Sequence, residues 1–485
     1  MECTIPWLPM KEDASATFYK YIASILLISL YFLLYPSKRR FFGRQSLPVT
    51  SEAAISRNIP FFYVSSWTMD DANPPIQDLF RSFHKYKDHC ATAISSLTAA
   101  HEIAKKTEWI VFSQKKEQHD DSSRPWLSNI MERRITMIAE RLELDGFVLE
   151  QLLKPIQFTI GITEREHQSY LITKDNSKTD VSSYDSAMHV ITHVTRDWTH
   201  LGRTIRKSLY NWCIEKISTY RNKGDRILIP GAGLGRLTYD VFRYGYHVEG
   251  NEISIVMATA AFHILHGKVS GILHPFGMDY LINEVMSTDR YQSVKFPDIE
   301  THLTNDSLSL SYTIGDFVEI YSGPSYKSQY DSIVTCFFID TASNIYEYII
   351  TIRNALKNGG VWINVGPLQW HMNAKLHPSG DELKYLIETM GFDIIEWSVD
   401  DEAINYRYDD KEERTRHTKY EGYKPIRFVA IYNSVDPMYQ TEYDAQQMIL
   451  NIRRSISKSP NMWNKEESPS YGHDTISHVT ITELS

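Results

Sequence analysis

The stretch RILIPGAGLGR at residues 226–236 decides the fold. Its first five residues form a short apolar run, and the glycines that follow, Gly231, Gly233 and Gly235, are spaced as G-x-G-x-G. Glycine suits such a turn because a side chain would block the close approach of a ligand, and the amide groups of the following helix point towards that ligand. The stretch therefore predicts a strand, a ligand-binding turn and a helix.

Short apolar runs alternate with helical patterns from this stretch onwards. The predicted strands cover residues 226–230, 247–251, 310–314, 332–339, 361–365, 392–397 and 427–432, and the predicted helices cover 236–244, 254–266, 344–357 and 381–390. Alternation of this kind predicts an α/β fold with a mostly parallel sheet covered on both faces. The last strand follows its neighbour without a crossover helix, so we expect it to be antiparallel.

Composition excludes several classes of protein. With 485 residues, 42% hydrophobic and 23% charged, the chain is that of a globular protein rather than a disordered one. The formal charge of −9 gives no overall basic field for a nucleic-acid backbone, so nucleic acid is not an expected partner. The four cysteines lie far apart without CxxC spacing, which predicts reduced thiols and no zinc site.

An uncharged run near the N-terminus predicts a membrane anchor. Residues 21–35 carry no charge, and four basic residues, Lys38, Arg39, Arg40 and Arg44, follow. We expect a transmembrane helix over about residues 18–37, with the rest of the chain in the cytosol by the positive-inside rule. Glu12 and Asp13 argue against a signal peptide. A buried helix remains the alternative, and with it a location in the cytoplasm or nucleus.

The chain divides into five predicted segments. These are the anchor segment at 1–45, a linker at 46–75, a helical region at 76–224, the α/β domain at 225–433 and a polar tail at 434–485. The tail contains one possible helix around 442–457.

An acidic residue after the second strand predicts a nucleoside cofactor. Glu252 stands 21 positions after Gly231, where a carboxylate accepts hydrogen bonds from both hydroxyls of an adenosine ribose. A dinucleotide fingerprint requires a third glycine at position 236, which is Arg236 here. A nicotinamide-dependent oxidoreductase is therefore disfavoured, although the same type of sheet would serve it.

Polar residues also follow the fourth and fifth predicted strands. Asp340 ends the fourth, and His371 comes shortly after the fifth. Open α/β sheets bind ligands at the carboxyl ends of their strands, so both side chains are expected to face the reacting centre. Taken alone, Asp340 would be read as a helix N-cap and His371 as a surface or structural histidine.

The G-x-G-x-G spacing resembles the S-adenosylmethionine turn of class I methyltransferases. In that fold an acidic residue after the third strand contacts the adenine, and here Gly315, Asp316 and Phe317 follow the third strand. The resemblance implies that Asp316 accepts the adenine amino group and that Phe317 lies against the ring. The plainer interpretation of the pair is a helix N-cap followed by a core aromatic.

The chain as a whole resembles the carnosine N-methyltransferase family of class I methyltransferases. The resemblance covers about residues 80–433 through HVTRDW, LIPGAGLGRL, EGNE, GDF, TCFFIDTA, KNGGVWINVGPLQWH and EGYKPIRFVAIY. It implies a Rossmann-like sheet of seven strands over 225–433 with S-adenosylmethionine as cofactor. The implied cofactor contacts, including the turn glycines, are Arg196, Gly231, Gly233, Gly235, Glu252, Asp316, Phe317 and Cys336, with His193 at a position that is usually Gln in the family.

The same resemblance implies a substrate site for a small dipeptide that contains histidine. Asp340, His371 and Tyr423 occupy the implied dipeptide-contacting positions, and a further substrate tyrosine is either Tyr406 or Tyr408. The implied activity is methylation of an imidazole nitrogen of carnosine or a related dipeptide, which gives anserine from carnosine. A homodimer is left open.

These residues suit an in-line methyl transfer. The imidazole nitrogen must present a free lone pair about 3 Å from the methyl group, aligned with the departing sulfur. A carboxylate such as Asp340 fixes the tautomer by accepting the other N–H, and it stabilises the positive charge that grows on the ring. His371 and Tyr423 would hold the peptide, and no metal is required. Two alternatives remain open: an inactive methyltransferase-like scaffold, and an enzyme acting on a different peptide or on a protein histidine.

Overall fold

The computed structural model describes residues 62–64, 74–113, 127–154, 187–277, 292–303, 307–404, 422–433 and 444–457. Ten strands lie in these ranges: β1 Phe62–Val64, β2 Arg226–Pro230, β3 His247–Glu252, β4 Gly271–Leu273, β5 Val294–Phe296, β6 Leu310–Ile314, β7 Tyr330–Cys336, β8 Leu356–Gly366, β9 Phe392–Val399 and β10 Ile426–Tyr432. The α-helices are α1 Pro74–Ser113, α2 Leu127–Leu152, α3 Ala187–Trp198, α4 Arg203–Tyr220, α5 Arg236–Arg243, α6 Ile255–Leu265, α7 Phe317–Tyr321, α8 Ile345–Ala355, α9 Gly380–Thr389 and α10 Ala445–Ser457.

Eight of these strands form one mixed sheet in the order β1-β6-β3-β2-β7-β8-β10-β9. β10 is antiparallel to both of its neighbours, as predicted for the last strand, whereas the pairs from β1 to β8 are parallel. The parallel strands therefore direct their carboxyl ends to one edge of the sheet. The glycine turn that follows β2 lies at this edge.

The sheet is buried on both faces because successive side chains of a strand point to opposite sides. In β2, Ile227 and Ile229 belong to a core cluster that also contains residues of α3, α4 and α6. Leu228 belongs to a second cluster with residues of α7, α8, α9 and α10. This explains why the inner strands are apolar throughout rather than alternating.

Three strands were not predicted from the sequence. β1 adds to the parallel sheet beside β6, and β4 pairs with β5 as a separate antiparallel ribbon. Each has only three residues, which is too short for a periodic pattern to distinguish a strand from a loop. The seven predicted strands and the helix of the C-terminal tail are confirmed, with ends that differ by a few residues.

The structure corrects the prediction of a membrane anchor. Among the helices of the described ranges, none is both long and apolar enough to cross a membrane. The longest, α1, has 40 residues, but charged side chains recur along it, which hydrocarbon does not tolerate. The segment predicted as the anchor, residues 18–37, lies outside the described residues. The described residues thus give no support to the transmembrane helix or to the single-pass membrane localisation, and the fold class is corrected to the α/β sheet with its helices.

A buried ionic network joins α4 to the sheet domain. The Arg206 guanidinium on α4 donates to Asp298 at 2.5 Å, and Arg236 at the start of α5 donates to the other oxygen of Asp298 at 2.7 Å. Arg206 also donates to the carbonyl oxygens of Arg196 and Thr199. Since paired charges of this kind are costly to break when they are buried, the network holds the C-terminal end of α3 over the glycine turn.

Candidate active site

The three glycines of the turn after β2 all adopt positive φ values, 66° for Gly231, 55° for Gly233 and 74° for Gly235. L-amino acids with side chains rarely adopt this conformation, which explains the glycine spacing found in the sequence. At Gly231 the space is also limited, since a Cβ atom would lie 2.5 Å from the Phe338 ring. Of the three glycines, Gly231 is exposed, whereas Gly233 and Gly235 are buried.

Glu252 ends β3 and holds the glycine turn in place. Its Oε2 accepts a hydrogen bond from the Gly233 N–H at 2.9 Å, and its Oε1 accepts one from Ser254 N–H at 2.9 Å. A carboxylate has about four lone-pair positions, so one such group can accept several hydrogen bonds at once. The Gly315 N–H donates to the carbonyl oxygen of Glu252 at 2.9 Å, which brings the ends of β3 and β6 together.

The Arg196 guanidinium at the end of α3 reaches the same turn. It donates to both carboxylate oxygens of Asp197, at 2.6 and 2.9 Å, and to Nδ1 of His193 at 3.0 Å. Burial and the positive charge of Arg196 together lower the pKa of His193 to about 3, so the ring is neutral and its Nδ1 accepts. Although burial alone would raise the pKa of Asp197, Arg196 more than offsets this and keeps the pKa low.

A small cleft lies between α3 and α4 on one side and the ends of β2 and β7 on the other. The residues that line it are Arg196, Leu209, Tyr210, Ile229, Gly231, Ala232, Leu237, Cys336 and Phe337. The structure therefore brings together three residues predicted from the sequence, namely Arg196, Gly231 and Cys336.

Six of the nine lining residues were not predicted as site residues, and two of these, Tyr210 and Phe337, have specific features. Tyr210 donates its hydroxyl to Asp197 at 2.7 Å, so it supports the Arg196 pair from α4. Phe337 adopts a positive φ of 53°, an unfavourable backbone conformation for a residue with a side chain. Tyr210 had no signal beyond its place in a helical pattern. The paired phenylalanines at 337 and 338, shortly before Asp340, were a signal, but the backbone conformation of Phe337 was not predictable.

Asp316 follows β6 and caps the short helix α7. Its Oδ1 accepts hydrogen bonds from the Val318 and Glu319 N–H groups at 2.8 and 3.0 Å. Both of these contacts use Oδ1, so Oδ2 is not engaged by them. Phe317 is buried, and its ring packs edge-on against Phe338 with the centroids 5.4 Å apart. The structure thus contains the N-cap and core aromatic that the plainer interpretation predicts, and adenine contacts remain a prediction for both residues.

Asp340 and His371 are neighbours at the carboxyl edge of the sheet, where they follow β7 and β8 respectively. Asp340 lies in a 3₁₀ turn after β7 with only 5% of its surface exposed. The His371 N–H donates to the Asp340 carbonyl oxygen at 3.1 Å, and the Gln369 N–H donates to its Oδ2 at 3.2 Å. Burial raises the pKa of Asp340 to about 7, because few groups compensate its negative charge. His371 is half-buried, and burial lowers its pKa.

Tyr423 reaches this region from the segment before β10. It forms an antiparallel bridge with Ile404 through backbone hydrogen bonds of 2.8 and 2.9 Å. Its ring lies 6.4 Å from that of Phe337, at an interplanar angle of 73°. Tyr423 is therefore connected to the cleft through Phe337. Tyr406 and Tyr408 lie outside the described residues.

The residues around the glycine turn fit an adenosine-containing cofactor. The Glu252 carboxylate, a hydrogen-bond acceptor of the kind that binds ribose hydroxyls, lies at the turn, and Gly231 lines the cleft. A Cβ atom on Gly233 would have no neighbour closer than 3.8 Å. Arg196 provides a fixed cation for a carboxylate group. These protein groups match a ligand in which a nucleoside is linked to an amino acid. They match a dinucleotide less well, because a dinucleotide carries a pyrophosphate.

Seven strands in the order β6-β3-β2-β7-β8-β10-β9, with β10 antiparallel and a glycine turn after β2, define a class I methyltransferase fold. The cofactor of this class is S-adenosylmethionine. A family model for carnosine N-methyltransferase matches residues 173–434, more than half of the chain. The chain belongs to the carnosine N-methyltransferase family.

Individual relatives agree with this assignment. The chain is 37% identical to mouse (Mus musculus) carnosine N-methyltransferase over 211 residues, which cover 41% of this chain and 52% of that protein. It is 34% identical to carnosine N-methyltransferase unmet of Drosophila melanogaster over 213 residues, which cover 41% of this chain and 46% of that protein. The chain thus spans about half the length of these relatives.

Proposed function

We propose that this protein transfers a methyl group from S-adenosylmethionine to an imidazole nitrogen of carnosine, giving anserine. The observation that carries the proposal is the buried Asp340 carboxylate, which lies at the carboxyl edge of the sheet and shares backbone hydrogen bonds with the segment of His371. Family membership supports the choice of substrate. An inactive scaffold would have no need for an uncompensated carboxylate at this position, because the burial of such a group is costly.

The cofactor-binding roles in this proposal follow from the contacts described above. Glu252 accepts the ribose hydroxyls, Oδ2 of Asp316 accepts the adenine amino group, and Arg196 pairs with the carboxylate of the methionine moiety. When bound, S-adenosylmethionine supplies an electrophilic methyl group on a sulfonium. Asp197 and Tyr210 keep the Arg196 side chain in one orientation, so little conformational entropy is lost on binding.

Asp340 selects the reactive form of the substrate. Its carboxylate accepts the N–H of one imidazole nitrogen, so the other nitrogen presents its lone pair to the methyl group. As the new N–C bond forms and the sulfonium C–S bond breaks, the ring becomes cationic and is stabilised by the negative charge of Asp340. The same carboxylate then accepts the N–H proton, and the methylated ring leaves in its neutral form.

The raised pKa of Asp340 leads to a prediction about pH. The carboxylate must be ionised to accept the imidazole N–H, and its pKa is raised to about 7. Asp340 accepts the N–H only when it is ionised, so its protonation should lower kcat/KM for carnosine by about tenfold per pH unit well below pH 7. The imidazole of carnosine, with a reference pKa of about 6.5, also protonates in this range and adds its own decrease. The measurement is kcat/KM from pH 5.5 to 9 for wild type and Asp340→Asn. Equally steep profiles for the two proteins would contradict the role of Asp340.

His371→Ala is expected to raise the KM for carnosine with little change in kcat. The reason is that a group which positions the peptide equally in the ground state and the transition state contributes uniform binding. We expect about a tenfold increase in KM from the loss of one hydrogen-bonding side chain. The matched control is His377→Ala in the same loop, which is exposed and should behave as wild type. Equal KM values for the two variants would remove His371 from the substrate site.

The activity itself is tested by incubating the full chain with S-adenosylmethionine and carnosine, and by locating the added methyl group with mass spectrometry. β-Alanyl-alanine, which lacks the imidazole, is the matched control and should remain unmodified. Free histidine, histidine-containing peptides and a histidine-containing protein form the other arms. Methylation of the terminal amine, or of the longer peptides in preference to carnosine, would contradict the proposed reaction.

A further inference from the structure

Helix α10 in the C-terminal tail packs beside the predicted adenine-binding segment. It begins after Asp444, whose Oδ1 accepts the Gln447 N–H at 2.9 Å as an N-cap. Ala445 and Ile449 are buried in the same apolar cluster as Phe317, the first residue of α7. The family model ends at residue 434, so α10 lies outside the matched part of the chain. The polar tail thus contributes to the core next to Asp316.

One side chain connects α10 to both α7 and α8. The Arg453 guanidinium donates to Oε2 of Glu347 on α8 through Nε at 3.0 Å and Nη2 at 2.7 Å. Its Nη1 donates to Oε1 of Glu319 on α7. Glu319 is also one of the two residues whose N–H groups bind the Asp316 carboxylate. Arg453 is therefore linked through one residue, Glu319, to the Asp316 carboxylate that is predicted to bind adenine.

The charges of this cluster depend on Arg453. Asp316 is exposed, and desolvation by the surrounding protein raises its pKa. The negative charge of Glu319 raises this pKa further, whereas the positive charge of Arg453 lowers it. Without the guanidinium, two carboxylates would face each other across the first turn of α7 with less positive charge nearby. Arg453 thus favours the ionised form of Asp316, which is the form that accepts two backbone N–H groups.

We propose that Arg453 is a positioning residue for the cofactor, which holds α7 against α8 so that Asp316 is in place to receive the adenine amino group. This inference rests on the proposed function, because it requires the cofactor to be bound at Asp316. Arg453 itself does not touch the cofactor, and its effect passes through Glu319.

The test compares Arg453→Met with Arg454→Met in the full chain. The two variants remove the same charge from adjacent positions of α10, but the Arg454 side chain is exposed. Titration calorimetry with S-adenosylhomocysteine should give a Kd about threefold to fivefold higher for Arg453→Met, in keeping with a partly exposed ion pair. Arg454→Met should match wild type. In steady-state assays the cofactor KM should rise by the same factor, while kcat and the carnosine KM stay unchanged.

A double-mutant cycle separates positioning from general stabilisation. Glu319→Ala alone should raise the Kd by about threefold, and the double variant Arg453→Met/Glu319→Ala should bind no more weakly than Arg453→Met. A change in melting temperature without a change in Kd, or additive effects in the cycle, would overturn the inference. If Arg453→Met does not fold, unchanged binding by Glu319→Ala is the contradicting result. Failure of the wild-type chain to bind S-adenosylhomocysteine would instead refute the proposed function.

Discussion

Asp340→Asn is expected to lower the turnover of carnosine by about a hundredfold or more, with little change in cofactor affinity. The amide has nearly the same size but also donates hydrogen bonds, so it no longer enforces one imidazole tautomer, and it lacks the negative charge that stabilises the cationic ring. Removal of one preorganised electrostatic group from an active site has an effect of this order. The measurement is steady-state kinetics on carnosine together with calorimetric titration of S-adenosylhomocysteine.

The same variant should gain stability in a manner that depends on pH. The pKa of Asp340 is raised from 3.8 in the unfolded chain to about 7 in the fold, so the folded state loses stability as the pH rises between these values. The cost of ionising this buried carboxylate is at most about 4 kcal/mol. Asp340→Asn should therefore have a higher Tm than wild type at pH 8, and the difference should shrink towards pH 4.

Asp401→Asn, in an exposed position, is the control and should leave both activity and Tm unchanged. Near-normal turnover by Asp340→Asn would exclude the carboxylate from the reaction, even if methylation of carnosine is observed.

Glu252→Ala is expected to weaken cofactor binding by roughly tenfold to a hundredfold, which corresponds to about 1.5–3 kcal/mol for the loss of charge-assisted hydrogen bonds. Two effects combine here. The ribose hydroxyls lose their acceptor, and the Gly233 and Ser254 N–H groups lose the carboxylate that fixes the turn. Calorimetry with S-adenosylhomocysteine measures the result.

Glu252→Gln distinguishes the two effects, because the amide keeps one acceptor oxygen but cannot satisfy both backbone N–H groups. It should have an intermediate Kd. Glu300→Ala is the matched control, since its side chain is exposed. Wild-type affinity in a folded Glu252→Ala variant, or preferential binding of a nicotinamide dinucleotide by the wild-type chain, would contradict the assignment of this cofactor site.

Much of the candidate site was predictable because its residues directly follow strands. Parallel strands end at one edge, so the positions of Glu252, Asp316 and Asp340 along the chain also placed them near one another in space. No such rule applies to Tyr210, which approaches the cleft from α4, or to Arg453, which reaches α7 across more than 130 residues of chain. Their roles depend on how helices pack against the sheet.

The membrane anchor illustrates a different limit. An uncharged run followed by basic residues satisfies the rules for a transmembrane helix, but none of the helices that the structure describes is both long and apolar enough to satisfy them. A local pattern is weak evidence where several structures share it, because a run of 15 apolar residues suits a buried helix as well as a short span.

The sequence by itself determined the α/β class, the antiparallel last strand and the glycine turn, because each depends on local periodicity or on the conformational freedom of glycine. It also determined the acidic residues at the strand ends. Only the tertiary structure decided which of these residues are already engaged: Glu252 in holding the turn, Asp316 in capping α7 and Asp340 in a buried site that raises its pKa to about 7. Burial and hydrogen bonding to distant backbone groups arise from packing between elements, and no pattern along the chain encodes them in a form that can be read directly.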